Sequence, residues 1–316
     1  MRLLEVKDLA TYFSTEAGTV KAVDGVGFDV GEGEVVGLVG ESGSGKTVTA
    51  LSILRVVPRP GMICRGKALF KGTDLLRKSE REIQSFRGKH VAMIFQDPTT
   101  SLNPTLTCGE QVAEVVRTHK KMGKSKAVER VVEIFQSVGL PDAALVFHKY
   151  PHQLSGGMRQ RVAIARALCS DPELVLADEP TTNLDVTTQA QVLELMKELK
   201  KKLNMSILLI THDMGIVAEM CSRVVVLYAG RVCEIGDVMS VFESPLHPYT
   251  EALLYAVPSL DARKPRVIPG SIPDMLNPPS GCRFHPRCVY AKHRCTDEVP
   301  QLKEVEPRRF VACLKH

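Results

Sequence analysis

The sequence has no long hydrophobic run. Apolar runs such as Val35–Gly40 and Ser206–Thr211 have the length of strands, whereas a membrane-spanning helix needs about 20 apolar residues in succession. The first ten residues carry charges at intervals and include neither an apolar stretch nor a small-residue cleavage site, so no secretory signal is expected. An apolar fraction of 44% suits a globular core rather than a disordered chain. We therefore expect a globular cytosolic protein.

Internal repeats and low-complexity tracts are also missing, but one shift in composition divides the chain. Its 316 residues correspond to about two domains at roughly 150 residues each. Residues 261–316 hold 11 of the 41 Lys and Arg residues and 6 of the 36 Asp and Glu residues, so the whole net charge of +5 lies there. They also hold 8 of the 19 prolines and 4 of the 9 cysteines. We predict a large domain of residues 1–257 and a small basic domain of residues 258–316.

Short apolar runs alternate with helical patterns through the first 260 residues. The predicted strands are 35–39, 91–95, 174–177, 207–210, 224–228 and 231–235. The predicted helices are 46–57, two within 108–139 separated at Gly123, 158–169 and 187–203. This alternation predicts an α/β fold, with a largely parallel sheet and helices on its faces.

A glycine-rich turn joins the first of these strands to the helix that follows. Gly40–Thr47 fits the pattern GxxxxGK[ST] in that position. Glycines allow backbone N–H groups to surround a phosphate, and the following helix directs its positive end at the anion. Lys46 is expected to reach the β- and γ-phosphates of a nucleotide, and Thr47 to bind Mg²⁺. The predicted nucleotide-binding residues are Gly40, Ser42, Gly43, Ser44, Gly45, Lys46, Thr47 and Val48.

The strand at 174–177 ends on two acidic residues, Asp178 and Glu179. Ligands of parallel sheets bind at the carboxyl ends of the strands. Asp178 is therefore expected beside Mg²⁺, and Glu179 is expected to orient or deprotonate an attacking water. Taken alone, the pair could equally be a solvated strand end.

A second candidate anion site precedes the helix predicted at 158–169. Ser155, Gly156 and Gly157 combine a hydroxyl with backbone N–H groups at a helix start, and one ATP does not need two such sites in one chain. Together with the phosphate loop and the acidic strand end, the sequence LSGGM at 154–158 resembles the LSGGQ signature of ATP-binding-cassette ATPases, with Met158 in place of Gln. The resemblance covers about residues 3–260. It implies a phosphate-loop nucleotide-binding domain with a mixed-sheet core and a helical subdomain at about 98–160.

The resemblance implies a head-to-tail dimer in which the signature of one protomer closes over the ATP held by the other. It also implies that Gln96 senses Mg²⁺ and the γ-phosphate, that Asp185 lies at the dimer interface, and that His212 contacts the γ-phosphate. Phe13, or alternatively Tyr12, would stack on adenine. On local grounds alone, Gln96 could be a strand cap, Asp185 a helix N-cap and His212 a structural residue. The implied Mg²⁺ ligands are Thr47, Gln96 and Asp178.

Four cysteines lie in the C-terminal segment. Cys282, Cys288, Cys295 and Cys313 are separated by five, six and seventeen residues, without the C-x₂₋₄-C spacing typical of tetrahedral zinc sites. Disulfides are rare in the cytosol, and an iron–sulfur cluster can use four thiolates at wider spacing. An iron–sulfur cluster, Zn²⁺ and four unrelated thiols therefore remain open for this small, irregular cysteine-bearing domain.

Two further segments narrow the resemblance. LHPYT at 246–250, followed by GCRFHPRC at 281–288, resembles the ATP-binding subunits of oligopeptide and dipeptide permeases, which include nickel-importer relatives, and extends the resemblance to the whole chain. Some members carry a [4Fe–4S] cluster on such cysteines, so the resemblance implies a [4Fe–4S] cluster on Cys282, Cys288, Cys295 and Cys313, with Zn²⁺ as the alternative.

This narrower resemblance implies a set of partners. They are two integral membrane permease subunits that dock near Gln96–Gln111, a second identical or related ATPase, and an extracytoplasmic solute-binding protein. The expected location is the cytoplasmic face of the cell membrane. The alternatives are import of nickel or another small solute, or a soluble ATPase acting on nucleic acid or ribosomes. Such soluble proteins usually carry two cassettes or a long coiled coil, so no nucleic-acid partner is expected.

Overall fold

The computed structural model describes residues 1–256 and 268–316. They divide into two compact units, unit 1 with residues 1–77 and 209–316, and unit 2 with residues 78–208. The predicted domain boundary at 257/258 lies outside the described residues and stays a prediction.

The strands, in chain order, are β1 (Arg2–Thr15), β2 (Gly18–Gly31), β3 (Val35–Val39), β4 (Gly61–Phe70), β5 (Thr73–Asp74), β6 (Val91–Ile94), β7 (Leu174–Asp178), β8 (Ser206–Thr211), β9 (Arg223–Tyr228), β10 (Arg231–Asp237), β11 (Lys303–Glu306) and β12 (Arg309–Val311). The helices are α1 (Lys46–Ile53), α2 (Glu80–Phe86), α3 (Pro98–Ser101), α4 (Cys108–Lys120), α5 (Lys124–Ser137), α6 (Ala143–His148), α7 (Gly156–Leu168), α8 (Val186–Leu203), α9 (Met214–Met220), α10 (Val238–Glu243), α11 (Pro248–Ala256) and α12 (Arg294–Asp297).

Unit 1 contains an antiparallel sheet that the sequence patterns did not predict. Its strand order is β2-β1-β4-β5, and β1 pairs along most of its length with both β2 and β4. The pairing of β1 shifts register at several points, such as between Val6 and Leu9. Each shift breaks the alternation of buried and exposed side chains.

A second, eight-stranded sheet has the order β11-β12-β10-β9-β3-β8-β7-β6, and its first five strands lie in unit 1. β3 runs parallel to β9, with Leu38 opposite Val225, whereas β10 runs antiparallel to β9 and β12 antiparallel to β10. β3 and β9 are buried along their whole length, which explains the apolar composition of β3 and of residues 224–227 in β9. The predicted parallel pairing is therefore correct for β3, while the C-terminal strands make the sheet mixed.

Unit 2 holds a parallel pair of strands and a group of helices. β6 and β7 pair in parallel, with Ile94 opposite Ala177. Helices α3–α6 and the start of α7 fall in the predicted helical segment at 98–160. The predicted break at Gly123 is confirmed, because α4 ends at Lys120, its C-cap Lys121 is in the left-handed conformation, and α5 begins after Gly123. β8 spans the residues at which the two units meet in the sequence.

The cysteine-bearing C-terminal segment packs into the core of unit 1. Phe284 is buried against Tyr228 of β9 and Tyr249 of α11, with ring centroids 5.1 Å and 5.4 Å away. Aromatic rings at these separations stabilise each other beyond the area that they bury. No helix within residues 1–256 and 268–316 is long and apolar enough to cross a membrane.

Candidate functional site

The predicted site residues are distributed over both units. Unit 1 carries the phosphate loop, Phe13, His212 and the four C-terminal cysteines; unit 2 carries Gln96, Ser155–Gly157, Asp178, Glu179 and Asp185.

The phosphate loop connects β3 to α1, as predicted, and its shape requires glycine. Gly40 and Gly45 have φ of 154° and 101°, a region that favours residues without a Cβ. A Cβ on Gly40 would collide with the carbonyl oxygen of Leu227, and one on Gly45 with that of Ala22. The backbone of the loop therefore passes directly against two neighbouring segments.

The side chain of Lys46 lies inside this loop. It is 5% exposed, and its Nζ donates hydrogen bonds to the carbonyl oxygens of Gly40 at 2.7 Å and Glu41 at 3.0 Å. Ser44 Oγ is buried and has no hydrogen-bond partner among the residues that the structure describes. Thr47 and Val48 lie half-buried in the first turn of α1. An ammonium group and the positive end of α1 thus face the same concave turn, an arrangement suited to an anion.

Two residues that the sequence did not identify hold Glu41 within the loop. Arg287 Nη1 and Nη2 donate to the two carboxylate oxygens of Glu41 at 2.8 Å and 3.1 Å. The backbone N–H of Glu41 donates to the hydroxyl of Tyr249 at 2.9 Å. Both partners are more than 200 positions away along the chain, so no local pattern could have indicated them.

In unit 2, the strand pairing brings two predicted residues together. Gln96 follows Ile94 by two residues, and Glu179 follows Ala177 by two, so both lie at the carboxyl edge of the parallel pair. Gln96 Nε2 donates to Glu179 Oε2 at 3.1 Å. Thr182 Oγ1, which the sequence analysis missed, donates to the same oxygen at 2.9 Å. The carboxylate is thus oriented by two donors, which is what a general base requires; neighbouring Asp178 is 2% exposed.

The signature residues begin α7. Ser155 is its N-cap, and its hydroxyl accepts a hydrogen bond from the Met158 N–H at 3.3 Å. A Cβ on Gly157 would lie 2.7 Å from Thr188 Cγ2, so the start of α7 contacts the first turn of α8. Asp185 caps α8 and accepts from the N–H and the hydroxyl of Thr188 at 2.9 Å and 2.7 Å, and the hydroxyl bond lowers the pKa of Asp185. The N-cap interpretation of Asp185 is therefore correct. It does not conflict with the predicted position of Asp185 at the dimer interface.

His212 and Phe13 are positioned by separate elements of unit 1. His212 follows β8 and is exposed, one residue before Asp213, the N-cap of α9. Phe13 lies half-buried in β1, where a Cβ on Gly61 would approach its Cε1 to 2.6 Å. The hydroxyl of Tyr12, the alternative adenine contact, donates to Asp24 at 2.7 Å. The roles of both rings and of His212 remain predictions.

The four C-terminal cysteines line one cavity of about 410 Å³. All four are free thiols. Burial raises the pKa of Cys282 to about 11 and raises the pKa of Cys288 and Cys313, which favours the protonated thiols. In the part of the chain that the structure describes, no three His, Cys, Asp or Glu side chains are arranged to hold a metal ion. The cysteines share a cavity, and the metal centre stays a prediction.

Comparison with known proteins places these features in a family. Residues 23–182 match the family model described as ABC transporter, and residues 233–295 match the oligopeptide/dipeptide transporter C-terminal region. The chain is 49% identical over 314 residues to the oligopeptide transport ATP-binding protein OppD of Bacillus subtilis. This alignment covers 98% of this chain and 88% of OppD. It is 47% identical over 315 residues to the dipeptide transport ATP-binding protein DppD of Escherichia coli, covering 99% and 96%.

A solved structure supports the same assignment. The dimeric ATP-binding cassette MJ0796, in a post-hydrolysis state bound to ADP and Pi, matches 74% of this chain and 98% of its own with a TM-score of 0.67 and 27% identity. The predicted α/β phosphate-loop fold and the ATPase activity are therefore confirmed. The chain belongs to the ATP-binding-cassette transporter family, in the group of ATP-binding subunits that carry the oligopeptide/dipeptide transporter C-terminal region.

Proposed function

We propose that this protein is the ATP-hydrolysing subunit of an importer for dipeptides or oligopeptides. The observation that carries the proposal is its similarity, over 98–99% of its length, to subunits named for oligopeptide and dipeptide transport. This similarity includes the C-terminal region, which separates these subunits from ATPases that hold the cassette alone. Nickel or another small solute is the alternative cargo.

The phosphate loop of unit 1 would hold the ATP phosphates. Lys46 would exchange its two carbonyl partners for oxygens of the β- and γ-phosphates, and N–H groups of residues 43–48 would surround them. Mg²⁺, for which hydroxyl, amide and carboxylate oxygens are suitable ligands, would be held by Thr47, Gln96 and Asp178 and would neutralise charge on the phosphates. Phe13 would contact the adenine.

Hydrolysis would use the carboxylate of Glu179. Gln96 and Thr182 orient one of its oxygens, so the group is positioned to accept a proton from water as the water oxygen attacks the γ-phosphorus. The bond between that phosphorus and the β–γ bridging oxygen breaks, and ADP leaves. Lys46 and His212 would stabilise charge on the transferring phosphoryl group.

Each ATP-binding site would be completed by a second cassette. Ser155, Gly156 and Gly157 present a hydroxyl and helix-start N–H groups, and Asp185 caps the helix that contacts this turn. Facing another protomer, this surface would bind the γ-phosphate of the ATP held there. The second cassette is another copy of this chain or a related ATPase.

The expected setting is the cytoplasmic face of the cell membrane, with two permease subunits and an external solute-binding protein. The surface formed by residues 96–111 would contact the permease. It begins at Gln96, which bonds Glu179, and it is fixed to α7 because Arg166 Nη1 donates to the carbonyl oxygen of Ser101 at 2.7 Å. The surface that contacts the permease and the catalytic carboxylate of Glu179 would therefore be linked through a few hydrogen bonds.

We further propose a [4Fe–4S] cluster on Cys282, Cys288, Cys295 and Cys313, with Zn²⁺ as the alternative. The shared cavity supports this proposal, and thiols with raised pKa would release protons on binding the metal. The test is iron and sulfide analysis with visible absorbance after anaerobic purification. About four irons and four sulfides per chain would support the cluster; a colourless protein holding one zinc would establish the alternative, and a metal-free protein would exclude both.

The transport proposal is tested in cells that depend on the complete importer. Uptake of a labelled tripeptide is expected to be lost with Lys46→Ala and retained with the exposed control Lys202→Ala. Isolation of the protein with two integral membrane subunits would support the assembly. If the cells take up nickel and no peptide, nickel replaces peptides as the proposed cargo. If the protein associates with ribosomes rather than membranes, the transport proposal is overturned.

A further inference from the structure

Arg287, one residue before Cys288, is buried, and each of the three nitrogens of its guanidinium group forms a hydrogen bond. Its side chain is 6% exposed. Besides the two bonds to the Glu41 carboxylate, Nη1 lies 3.3 Å from the Tyr228 hydroxyl, and Nε donates to the carbonyl oxygen of Pro269 at 2.7 Å. Two parallel N–H···O bonds fix both the position and the orientation of a carboxylate. Glu41 is therefore held rigidly by the cysteine-bearing segment.

Glu41 is also held through its backbone. Its N–H donates to Tyr249, and its carbonyl oxygen accepts hydrogen bonds from Lys46 Nζ at 3.0 Å and from the Ser44 N–H at 3.1 Å. The position of Glu41 thus sets the position of a carbonyl group that binds the loop lysine. A shift at Arg287 would reach Lys46 through a single residue.

The same segment also reaches the loop indirectly, through the turn between β9 and β10. Arg283 donates to Asp24 Oδ2 at 2.6 Å and to the carbonyl oxygen of Ala229. The next residue, Gly230, donates its N–H to the carbonyl oxygen of Ser44 at 2.8 Å. The segment between Cys282 and Cys288 therefore bonds the loop directly through Arg287 and indirectly through Arg283, with buried Phe284 between the two arginines.

Glu41 also poses an electrostatic problem in an anion-binding loop. Its carboxylate belongs to the loop that would receive the β- and γ-phosphates, and a negative charge there repels a bound anion. The Arg287 guanidinium, always protonated, offsets this charge through the bidentate pair. Arg287 therefore has two effects on the loop, one on geometry and one on charge.

We propose that Arg287 is a positioning residue of the ATP site, through which the cysteine-bearing segment holds the phosphate loop ready for nucleotide. This inference rests on the proposed assignment of Gly40–Val48 to the ATP phosphates. It means that the C-terminal segment contributes to ATP affinity without touching ATP.

The test measures KM for ATP and kcat of the full-length protein. Arg287→Gln is expected to raise KM about tenfold and change kcat by less than about twofold, because the loop is misplaced before chemistry begins. Arg287→Lys keeps the charge but loses the bidentate geometry, so its KM is expected to lie between those of the wild type and Arg287→Gln. Arg294→Gln is the matched control, since Arg294 bonds Glu298 at 2.9 Å in an exposed pair of the same segment.

The charge effect has its own test in the double variant Glu41→Gln with Arg287→Gln. Removing both charges is expected to restore part of the affinity that Arg287→Gln loses, which a purely structural role would not produce. A KM for Arg287→Gln within about twofold of the wild type would overturn the proposal. If the melting temperature of Arg287→Gln lies well below that of the wild type, the KM of Arg287→Lys is used instead. An unchanged KM for Arg287→Lys would then overturn the proposal.

Lys46→Ala in the same assay separates this inference from the proposed function. Loss of ATP turnover with Lys46→Ala and an unchanged Arg287→Gln would refute only the positioning role. Normal turnover with Lys46→Ala would refute the assignment of the loop itself.

Discussion

Gln96 Nε2 donates a hydrogen bond to Glu179 Oε2 across 3.1 Å, joining the ends of two parallel strands. Thr182 supplies a second donor to the same oxygen. A carboxylate whose rotamer is fixed before substrate arrives loses less entropy when it takes a proton from water. The first prediction follows from this arrangement.

Glu179→Gln is expected to bind ATP with nearly wild-type affinity and to hydrolyse it about 10²–10³ times more slowly, because an amide cannot accept the proton. Nucleotide binding and phosphate release measured on the same preparation separate the two effects. Glu194→Gln on the exposed face of α8, where Glu194 pairs with Lys197 at 3.4 Å, is the control. Near-normal turnover of Glu179→Gln would remove Glu179 from the reaction.

Lys46→Ala is expected to weaken ATP binding by about 100-fold, since the ammonium is the side-chain cation placed inside the loop, and charge-assisted bonds to phosphate are among the strongest in proteins. Isothermal titration with ATP and Mg²⁺ measures the loss. Lys202→Ala, at an exposed position of α8, should bind as the wild type does. Equal affinities for the two variants would contradict the assignment of the loop.

Ser155→Asp is designed to test the second cassette. Asp caps helices as well as Ser does, so α7 should remain intact, while a negative charge would repel the γ-phosphate held by the other protomer. We expect the isolated subunit to bind ATP normally and the assembled transporter to lose at least about tenfold in ATPase rate. Ser79→Asp, the same change at the N-cap of α2, should leave that rate unchanged. Full activity of Ser155→Asp would exclude the signature from the reaction.

His247 predicts a pH dependence of stability. The ring is 2% exposed, and its Nδ1 accepts the Tyr249 N–H at 3.0 Å. Burial, with a smaller effect of nearby His316, lowers the pKa of His247 to about 3. In the unfolded chain the imidazole takes up a proton near pH 6.5. The neutral ring therefore contributes its full stability above pH 6.5, and this contribution is lost as the pH falls towards 3.

The expected slope from this one group is about 1.4 kcal/mol in the free energy of unfolding per pH unit below pH 6.5. Urea unfolding at pH 7, 6 and 5 measures it. His247→Asn keeps a hydrogen-bond acceptor and should flatten the slope, whereas His293→Asn, at a side chain that is 95% exposed, should keep it. Parallel pH profiles for the wild type and His247→Asn would contradict the prediction.

The features that can be predicted from the sequence are those that depend on a few adjacent residues. The loop at Gly40–Thr47, the caps at Ser155 and Asp185, and the apolar strands β3 and β7 each depend on local chemistry, and the structure confirms their local conformation. β1 escaped prediction because its register shifts break the two-residue alternation. Thr182 as a partner of Glu179, and Arg287 as a partner of Glu41, depend on how the chain turns and on which elements meet, and a single sequence does not contain that information.

The pairing of β12 with β10 has a consequence for the aggregation of the chain. Glu234 and Ile235 of β10 pair with Val311 and Phe310 of β12. A chain shortened after α11 would present β10 as an open strand edge, with backbone donors and acceptors available to any other strand. With β12 and β11 in place, β11 is the outer strand among the described residues, and its exposed Lys303, Glu304 and Glu306 discourage a foreign strand from adding there. The last residues of the chain thus protect the sheet against aggregation.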